Sequence, residues 1–217
     1  MRNDLPTWLI SSPLPNHLSG TGMCLSLIIY SCTLLFPQVA IAQHTHNNPA
    51  SYHIQAVLAT SIATVRGQIE INYRNTSSET LDEIHVHLYP NAYNSRESAL
   101  TKQHLLLDKT ELFFADENER GYIDSLDFSI NDEPVEWSLS EQHTDIAILT
   151  LQNTLGVGES LTLRTPFRVK IPDAEFSRLG FDNQTYYLTN WSPEIAVFEG
   201  KEWQSMPYLE HGEFYSD

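Results

Sequence analysis

Two histidines separated by one residue are the first candidates for chemistry in this chain. His85 and His87 lie in an alternating stretch that predicts a β-strand, so both imidazoles lie on one face of it, as in a metal site built on a sheet. His53 could approach them from a neighbouring strand. No third ligand follows at a fixed spacing, so we predict no metal site and interpret the two histidines as a solvated polar face.

The remaining polar motifs favour loops over sites. The run Asp116–Glu119 offers the oxygen ligands that calcium prefers, but it lacks the alternating spacing and the terminal glutamate of a calcium loop. Gly156-Val157-Gly158 is interpreted as a turn, because no helix start follows to hold a phosphate. The sequence contains no His-Glu-x-x-His, no Gly-x-Ser-x-Gly and no phosphate loop. We therefore predict no catalytic residue and no cofactor in this chain.

Charge and composition limit the class of partner. The 217 residues include 28 acidic and 12 basic side chains, for a formal net charge of −16. Such a charge repels a polyphosphate backbone, which excludes nucleic acid as a partner. A hydrophobic fraction of 41% and an aromatic fraction of 11% are typical of a chain that buries a core, not of a disordered acidic tail.

The first 42 residues predict a signal peptide. Residues 23–36 form an uncharged apolar run, and Ala40-Ile41-Ala42 supplies the small residues of a cleavage site. We expect cleavage after Ala42, which removes both cysteines of the chain and places the protein in the periplasm or outside the cell. Because the basic start is weak, the alternative is an uncleaved anchor over residues 23–42. Only in that case would a membrane be a partner.

The mature chain reads as a linker followed by one all-β domain. Residues 43–50 are polar and contain a proline, which indicates a linker, and residues 51–217 form the domain. Period-2 alternation recurs in seven or eight short segments with turn signals between them, and this predicts an antiparallel β-sandwich. Gly67 is expected at a bulge. Residues 98–114 break the pattern and could hold the one short helix or an irregular excursion.

Several separated motifs lie along the β domain and together cover about residues 51–217. They are Tyr52–Ile54, Gly67–Asn75, Leu81–Ala92, Gly121–Asp124, Gly158–Pro172, Trp191–Phe198, Trp203, Pro207–Leu209 and Gly212–Ser216. In this combination they resemble the N-terminal domain of the M1 family of zinc metallopeptidases, the aminopeptidase N-like gluzincins, and most closely its exported bacterial branch.

The resemblance implies a saddle-like β domain that packs on a thermolysin-like catalytic domain. Zinc and the catalytic glutamate belong to that downstream domain, which is the expected partner, and the chain is expected to be inactive alone. The β domain would shape the substrate cleft and recognise the peptide N-terminus. In the family, a Gln or Glu after a threonine touches the substrate's amino end. The matching residue is Asn190, after Thr189, and its side chain is one methylene shorter than Gln.

The aromatic segment after Phe176 leaves two functions open. If Trp191, Trp203 and Tyr208 form the interface with a downstream domain, the chain alone should expose a large apolar patch. The alternative is a standalone secreted β-sandwich that binds a protein or a glycan through these aromatics. Because Glu213–Asp217 resembles the start of a strand, we expect a fragment truncated before the catalytic domain.

Overall fold

The computed structural model describes residues 48–211, and within this range the chain is built mainly from antiparallel strands. The strands are, in chain order, β1 Ala50–Ala59, β2 Thr64–Arg74, β3 Leu81–His87, β4 Tyr122–Asp124, β5 Ser129–Ile130, β6 Glu133–Pro134, β7 Glu136–Leu139, β8 Ile146–Leu155, β9 Ser160–Lys170, β10 Gly180–Asp182, β11 Thr185–Tyr187, β12 Glu194–Ile195, β13 Phe198–Glu199 and β14 Glu202–Trp203. The helices are α1 Ala99–Leu106 and α2 Glu111–Phe114, with 3₁₀ turns at Thr60–Ile62 and Tyr89–Tyr93. The predicted all-β antiparallel architecture is confirmed.

Two sheets pack on a shared core. The larger sheet has the order β1-β2-β9-β5-β6, with β4 also paired to β9, and the smaller has the order β12-β3-β8-β7. Their inward residues form one buried cluster, in which Ile71 of β2, Ile84 of β3, Leu149 of β8 and Val169 of β9 are fully covered. Burial of such side chains stabilises each by about 1.5–3 kcal/mol, so this cluster holds the sheets together.

Gly67 lies in an unbroken ladder, so the predicted bulge is wrong. It pairs with Ala56 on one side and Phe167 on the other without a shift of register. A Cβ atom at this position would lie 2.5 Å from the backbone oxygen of Gln55 and 2.9 Å from the Phe167 ring. The glycine is therefore explained by close approach of its neighbours rather than by a bulge.

A second, smaller core lies under the irregular part of the chain. The 3₁₀ turn at Tyr89–Tyr93, α1, α2 and later loops bury a separate apolar cluster around Leu100, Leu112 and Tyr208. Ser98 begins α1 as its N-cap, since its hydroxyl accepts a hydrogen bond from the Thr101 amide at 3.1 Å. The expectation of one short helix between residues 98 and 114 is corrected to two helices.

Candidate functional site

The polar face of β3 is the part of the molecule where ionisable side chains collect. Glu83, His85 and His87 alternate with Ile84 and Val86, whose side chains enter the main core. The two histidines thus share one face, as the sequence predicts. The interpretation of this face as solvated is wrong for His87, which is 4% exposed because Tyr89 stacks on its ring and the Gln204 backbone lies against it.

At its outer end this face carries a chain of hydrogen bonds through His85. Its Nε2 lies 2.7 Å from Glu83 Oε1, and its Nδ1 lies 2.5 Å from the Ser205 hydroxyl oxygen. The Trp203 ring stacks on the imidazole at a centroid distance of 5.4 Å. A hydroxyl, an imidazole and a carboxylate in this order are the components of a nucleophilic relay. Here they also connect β3 to a segment that is 120 residues further along the chain.

His87, at the inner end of the face, is held neutral by its surroundings. Its ring stacks on Tyr89 at 4.6 Å between centroids, with an angle of 10° between the planes. Burial, with a smaller contribution from the charge of His85, lowers the pKa of His87 to about 4, while a hydrogen bond to the Gln204 backbone partly opposes this. Nδ1 of His87 is buried and has no hydrogen-bond partner among the described residues.

A cavity of about 300 Å³ lies beside His87. Its polar and aromatic lining comes from Tyr52 and Tyr73 of the β1–β2 hairpin, His87 at the end of β3, Tyr89 of the 3₁₀ turn that follows, and Glu194 of β12. Glu194 pairs directly with His87 across the β12–β3 ladder, which places both side chains on the same face. Burial raises the pKa of the Glu194 carboxyl. Burial also raises the pKa of the Tyr89 hydroxyl, with a smaller contribution from the nearby charge of Glu194.

His53 does not join the other two histidines. It lies on β1 in the larger sheet, opposite Glu70, and its Nε2 is 3.2 Å from the Gln55 side chain. Within residues 48–211, no group of three or more His, Cys, Asp or Glu side chains is arranged to hold a metal ion. The run Asp116–Glu119 forms a loop in which Asp116 Oδ1 accepts the amides of residues 118 and 119.

The three aromatic residues predicted at an interface lie against this chain itself. Tyr208 is 1% exposed and contacts the rings of Tyr89 and Tyr93 in the second core. Trp191 is half-buried and packs against both cores, and Trp203 is half-buried against the main core. Their role at a domain interface stays a prediction.

Asn190 lies in the loop between β11 and β12, half-buried, with a φ of 52°. Asparagine tolerates this left-handed conformation better than most residues. The preceding Thr189 lines an open depression of about 790 Å³, together with Asp173, Glu175 and Arg178. A role for Asn190 in substrate binding also stays a prediction.

The sequence alone did not indicate Glu194 or Ser205 as site residues. Glu194 follows Pro193 within an apolar and aromatic stretch, and a charge in such surroundings is the signal that could have marked it. Ser205 has no local signal, because its partner His85 is far away in the sequence.

The predicted leader, residues 1–42, lies outside the described part of the chain, as do the first residues of the predicted linker and the strand start predicted at Glu213–Asp217. Within residues 48–211, no helix is long and apolar enough to cross a membrane.

Comparison with known proteins gives structural neighbours only. No family model matches the sequence, and no curated protein does. A two-domain M1 zinc metallopeptidase mutant bound to L-tryptophan is 16% identical over 56% of this chain and 19% of its own, with a TM-score of 0.32. The M1 zinc metallopeptidase from Deinococcus radiodurans is 15% identical over 57% and 21%, with a TM-score of 0.34. A two-domain M1 mutant bound to L-arginine is 16% identical over 63% and 24%, with a TM-score of 0.36.

The aligned region therefore spans only about a fifth to a quarter of these neighbours. At this level of identity and TM-score, the likeness does not show which family this chain belongs to.

Proposed function

We propose that this chain is the N-terminal β domain of an M1-like zinc metallopeptidase, in which it walls one side of the substrate cleft and contacts the amino end of the peptide. The zinc and the catalytic glutamate would belong to a downstream catalytic domain. Export by the predicted leader, to the periplasm or outside the cell, is part of the same proposal.

The observation that carries the proposal is the meeting of the resembling motifs in space. Asn91 of the Leu81–Ala92 motif accepts the Ile123 amide at 3.0 Å, within the Gly121–Asp124 motif, and donates to the Thr144 carbonyl. Ile195 of the Trp191–Phe198 motif pairs with Val86 of the first. Segments far apart in sequence thus form one unit around the end of β3.

A further contact extends this unit. The Leu88 amide donates to the carbonyl of Asp145 at 2.7 Å, and the carboxylate of Asp145 accepts the Tyr208 amide at 2.6 Å. Burial raises the pKa of Asp145, which the Tyr208 amide partly opposes. Since Tyr208 belongs to the Pro207–Leu209 motif, a fourth resembling segment is fixed to the same place. The four resembling segments therefore lie in one folded unit, which is the unit that the proposal places beside a catalytic domain.

An apolar surface favours a partner domain. The last turn of α1 and the end of α2 expose Leu106 at 85% and Phe114 at 71%, and Leu105 and Leu107 are also exposed. The two helices are in contact, so these exposed side chains belong to neighbouring elements. Neighbouring exposed apolar side chains of this kind are typical of surfaces that another domain covers.

The depression beside Asn190 supports the cleft part of the proposal. Its lining of carboxylates and one guanidinium suits the charged and polar groups of a peptide backbone and its end. An asparagine oxygen accepts from an ammonium group, which is the contact that the resemblance assigns to this position.

The direct test is the coding sequence beyond codon 217. The proposal expects the frame, or a frame restored by one correction, to continue into a helical region with His-Glu-x-x-His and a further glutamate ligand. Unrelated sequence in all frames after a true stop codon would refute it.

The continued gene product then allows a test of the cleft. Asn190→Ala should raise the KM for an aminoacyl p-nitroanilide by about tenfold, the value of one hydrogen bond to a charged group. Asn183→Ala is the matched control, because Asn183 also lies in a turn with a φ of 51°. An equal KM in the two variants would contradict the assigned contact.

Residues 43–217 expressed alone should bind no stoichiometric zinc and cleave no aminoacyl amide. A catalytic zinc site needs three protein ligands and an open position. One equivalent of zinc retained after dialysis would contradict this, and His85 and His87 would be the first residues to mutate.

A standalone binding module is the second candidate. It is favoured by the packing of three aromatic residues within the chain, because rings that are already buried or half-buried need no second domain to cover them. These are Tyr208, which is buried, and Trp191 and Trp203, which are half-buried. Gel filtration separates the two candidates. A self-contained module should elute as a monomer, whereas a chain missing its partner domain should self-associate through the exposed surface of α1 and α2.

A further inference from the structure

The cavity between the β1–β2 hairpin and the end of β3 contains a carboxylate without a partner. Glu194 lines it, and within the described residues this side chain takes part in no hydrogen bond and no ion pair. Other partly buried carboxylates of the chain are paired, such as Asp124 with Arg168 and Glu210 with Lys109. Glu194 is partly buried, so its carboxylate has lost part of its hydration, and a cation that joins it would compensate for that loss.

Glu194 is the one charged side chain among the described lining residues. His87 donates to the Gln204 carbonyl, a hydrogen bond that favours the protonated ring, but burial outweighs it and keeps the ring neutral. The other ring nitrogen, Nδ1, is buried. Among the lining residues within 48–211 there is no Lys or Arg. The charge that this lining presents is therefore negative, which disfavours anions.

Aromatic rings complete the lining. Tyr52, Tyr73 and Tyr89 come from three different elements of the fold and border the space together with His87. Ring faces attract organic cations, and the attraction grows when water is excluded. Tyr73 and Tyr89 are each only 4% exposed because they also pack in the two cores, so Tyr52, which is 42% exposed, offers most of the ring surface.

The size and the remaining lining limit the ligand further. A cavity of about 300 Å³ is at the small end of the range for ligand sites. Pro49, Ile54 and Val197 add apolar side chains to the lining. The net charge of −16 also raises the local concentration of cations around the molecule.

We propose that this cavity is a binding site for a small organic ammonium ion, with Glu194 as the counter-ion, the tyrosines as aromatic surface and the apolar side chains of the lining in contact with a short hydrocarbon body. The site consists of residues of this chain alone. The proposed ammonium site therefore does not depend on whether a peptidase domain follows.

Phenethylammonium is a suitable probe, because it joins a primary ammonium group to a small apolar ring. Titration of the full chain by calorimetry should give a Kd on the order of 1 mM or tighter. 2-Phenylethanol has nearly the same shape without the charge and should bind at least about tenfold more weakly. Equal binding of the two probes, or no binding of the amine up to about 10 mM, would overturn the proposal.

A pair of variants tests the counter-ion. Glu194→Gln should weaken phenethylammonium binding by at least about tenfold, because it removes the charge and keeps the shape. Glu199→Gln is the matched control, since Glu199 is exposed on β13 and does not line the cavity. Unchanged affinity in Glu194→Gln, or an equal loss in both variants, would contradict the role of Glu194.

A measurement on the unmodified protein keeps the proposal testable if Glu194→Gln fails to fold. Backbone amide chemical shifts should move on addition of phenethylammonium at residues 50–54, 87–89 and 194–197, which border the cavity. Shifts confined to other surfaces would show that the probe binds elsewhere and would overturn the assignment.

Discussion

Replacing His87 by phenylalanine should remove an acid-labile element of stability. The pKa of this imidazole is lowered from 6.5 to about 4 in the folded chain, chiefly by burial. Below pH 6.5 the unfolded chain therefore binds a proton that the folded chain refuses, so stability falls as the pH falls from 6.5 towards 4. Phenylalanine keeps a ring to stack on Tyr89 and has no proton to bind.

The size of the effect follows from the shift. A difference of about 2.5 pKa units at 1.36 kcal/mol per unit sets a limit of about 3 kcal/mol. By linkage, the free energy of unfolding of the wild type falls by about 2 kcal/mol by pH 5, and by nearly the whole limit by pH 4. The variant also loses the hydrogen bond to the Gln204 backbone, which costs it about 1 kcal/mol at every pH. It should therefore be less stable than the wild type at pH 7 and more stable at pH 4.

Urea unfolding followed by tryptophan fluorescence at pH 7, 6, 5 and 4 measures this difference. Acidic groups with raised pKa values, such as Asp145, titrate in both proteins and largely cancel in the subtraction. His53→Phe, at an exposed position on β1, is the matched control. If the wild type and His87→Phe differ by the same amount, within about 0.5 kcal/mol, at all four pH values, the buried neutral imidazole is refuted.

Three further outcomes are expected. Asn75→Ala should lower the free energy of unfolding by about 2–4 kcal/mol, because the buried Asn75 amide donates to three backbone carbonyls. Urea unfolding measures this loss, and Asn75→Asp, whose side chain cannot donate, should lower the free energy of unfolding at least as much. Gly67→Ala should lower the free energy of unfolding by about 1–3 kcal/mol, because the new Cβ would lie 2.5 Å from the Gln55 backbone oxygen. An unchanged thermal melting curve would contradict this close approach. Intact mass of the exported protein should correspond to a chain that begins at Gln43, and retention of the two leader cysteines would favour the membrane anchor.

The long strands could be predicted from the sequence because each one has a single buried face. In β9, Leu161, Leu163 and Val169 alternate with exposed or half-buried residues, and the same period is visible in the sequence. The break between β4 and β5 could not be predicted. The break coincides with Ser125, whose φ of 58° lies in the left-handed region. Serine, unlike Gly or Asn, does not indicate this conformation in a sequence.

The candidate site was predicted only in part, because it forms through long-range contacts. The alternation around β3 places His85 and His87 on one face, but nothing local says that a segment more than 100 residues later covers that face. The β12–β3 pairing places Glu194 beside His87, and Trp203 and Ser205 then lie against His85 on the same face. Local periodicity reports which residues share a side and not what lies over that side.

The position of β1 at the border of the larger sheet affects how the protein behaves in concentrated solution. Among residues 48–211, β2 is the only strand that pairs with β1, so ten residues of backbone present one row of N–H and C=O groups to the outside. The strand ASYHIQAVLA has no lysine, no acidic residue and no proline, the usual means by which edges avoid pairing. Mutual repulsion from the net charge of −16 is then the main protection against edge-to-edge association. Because salt screens that repulsion, aggregation should increase with ionic strength, and low-salt buffers should keep the protein dispersed.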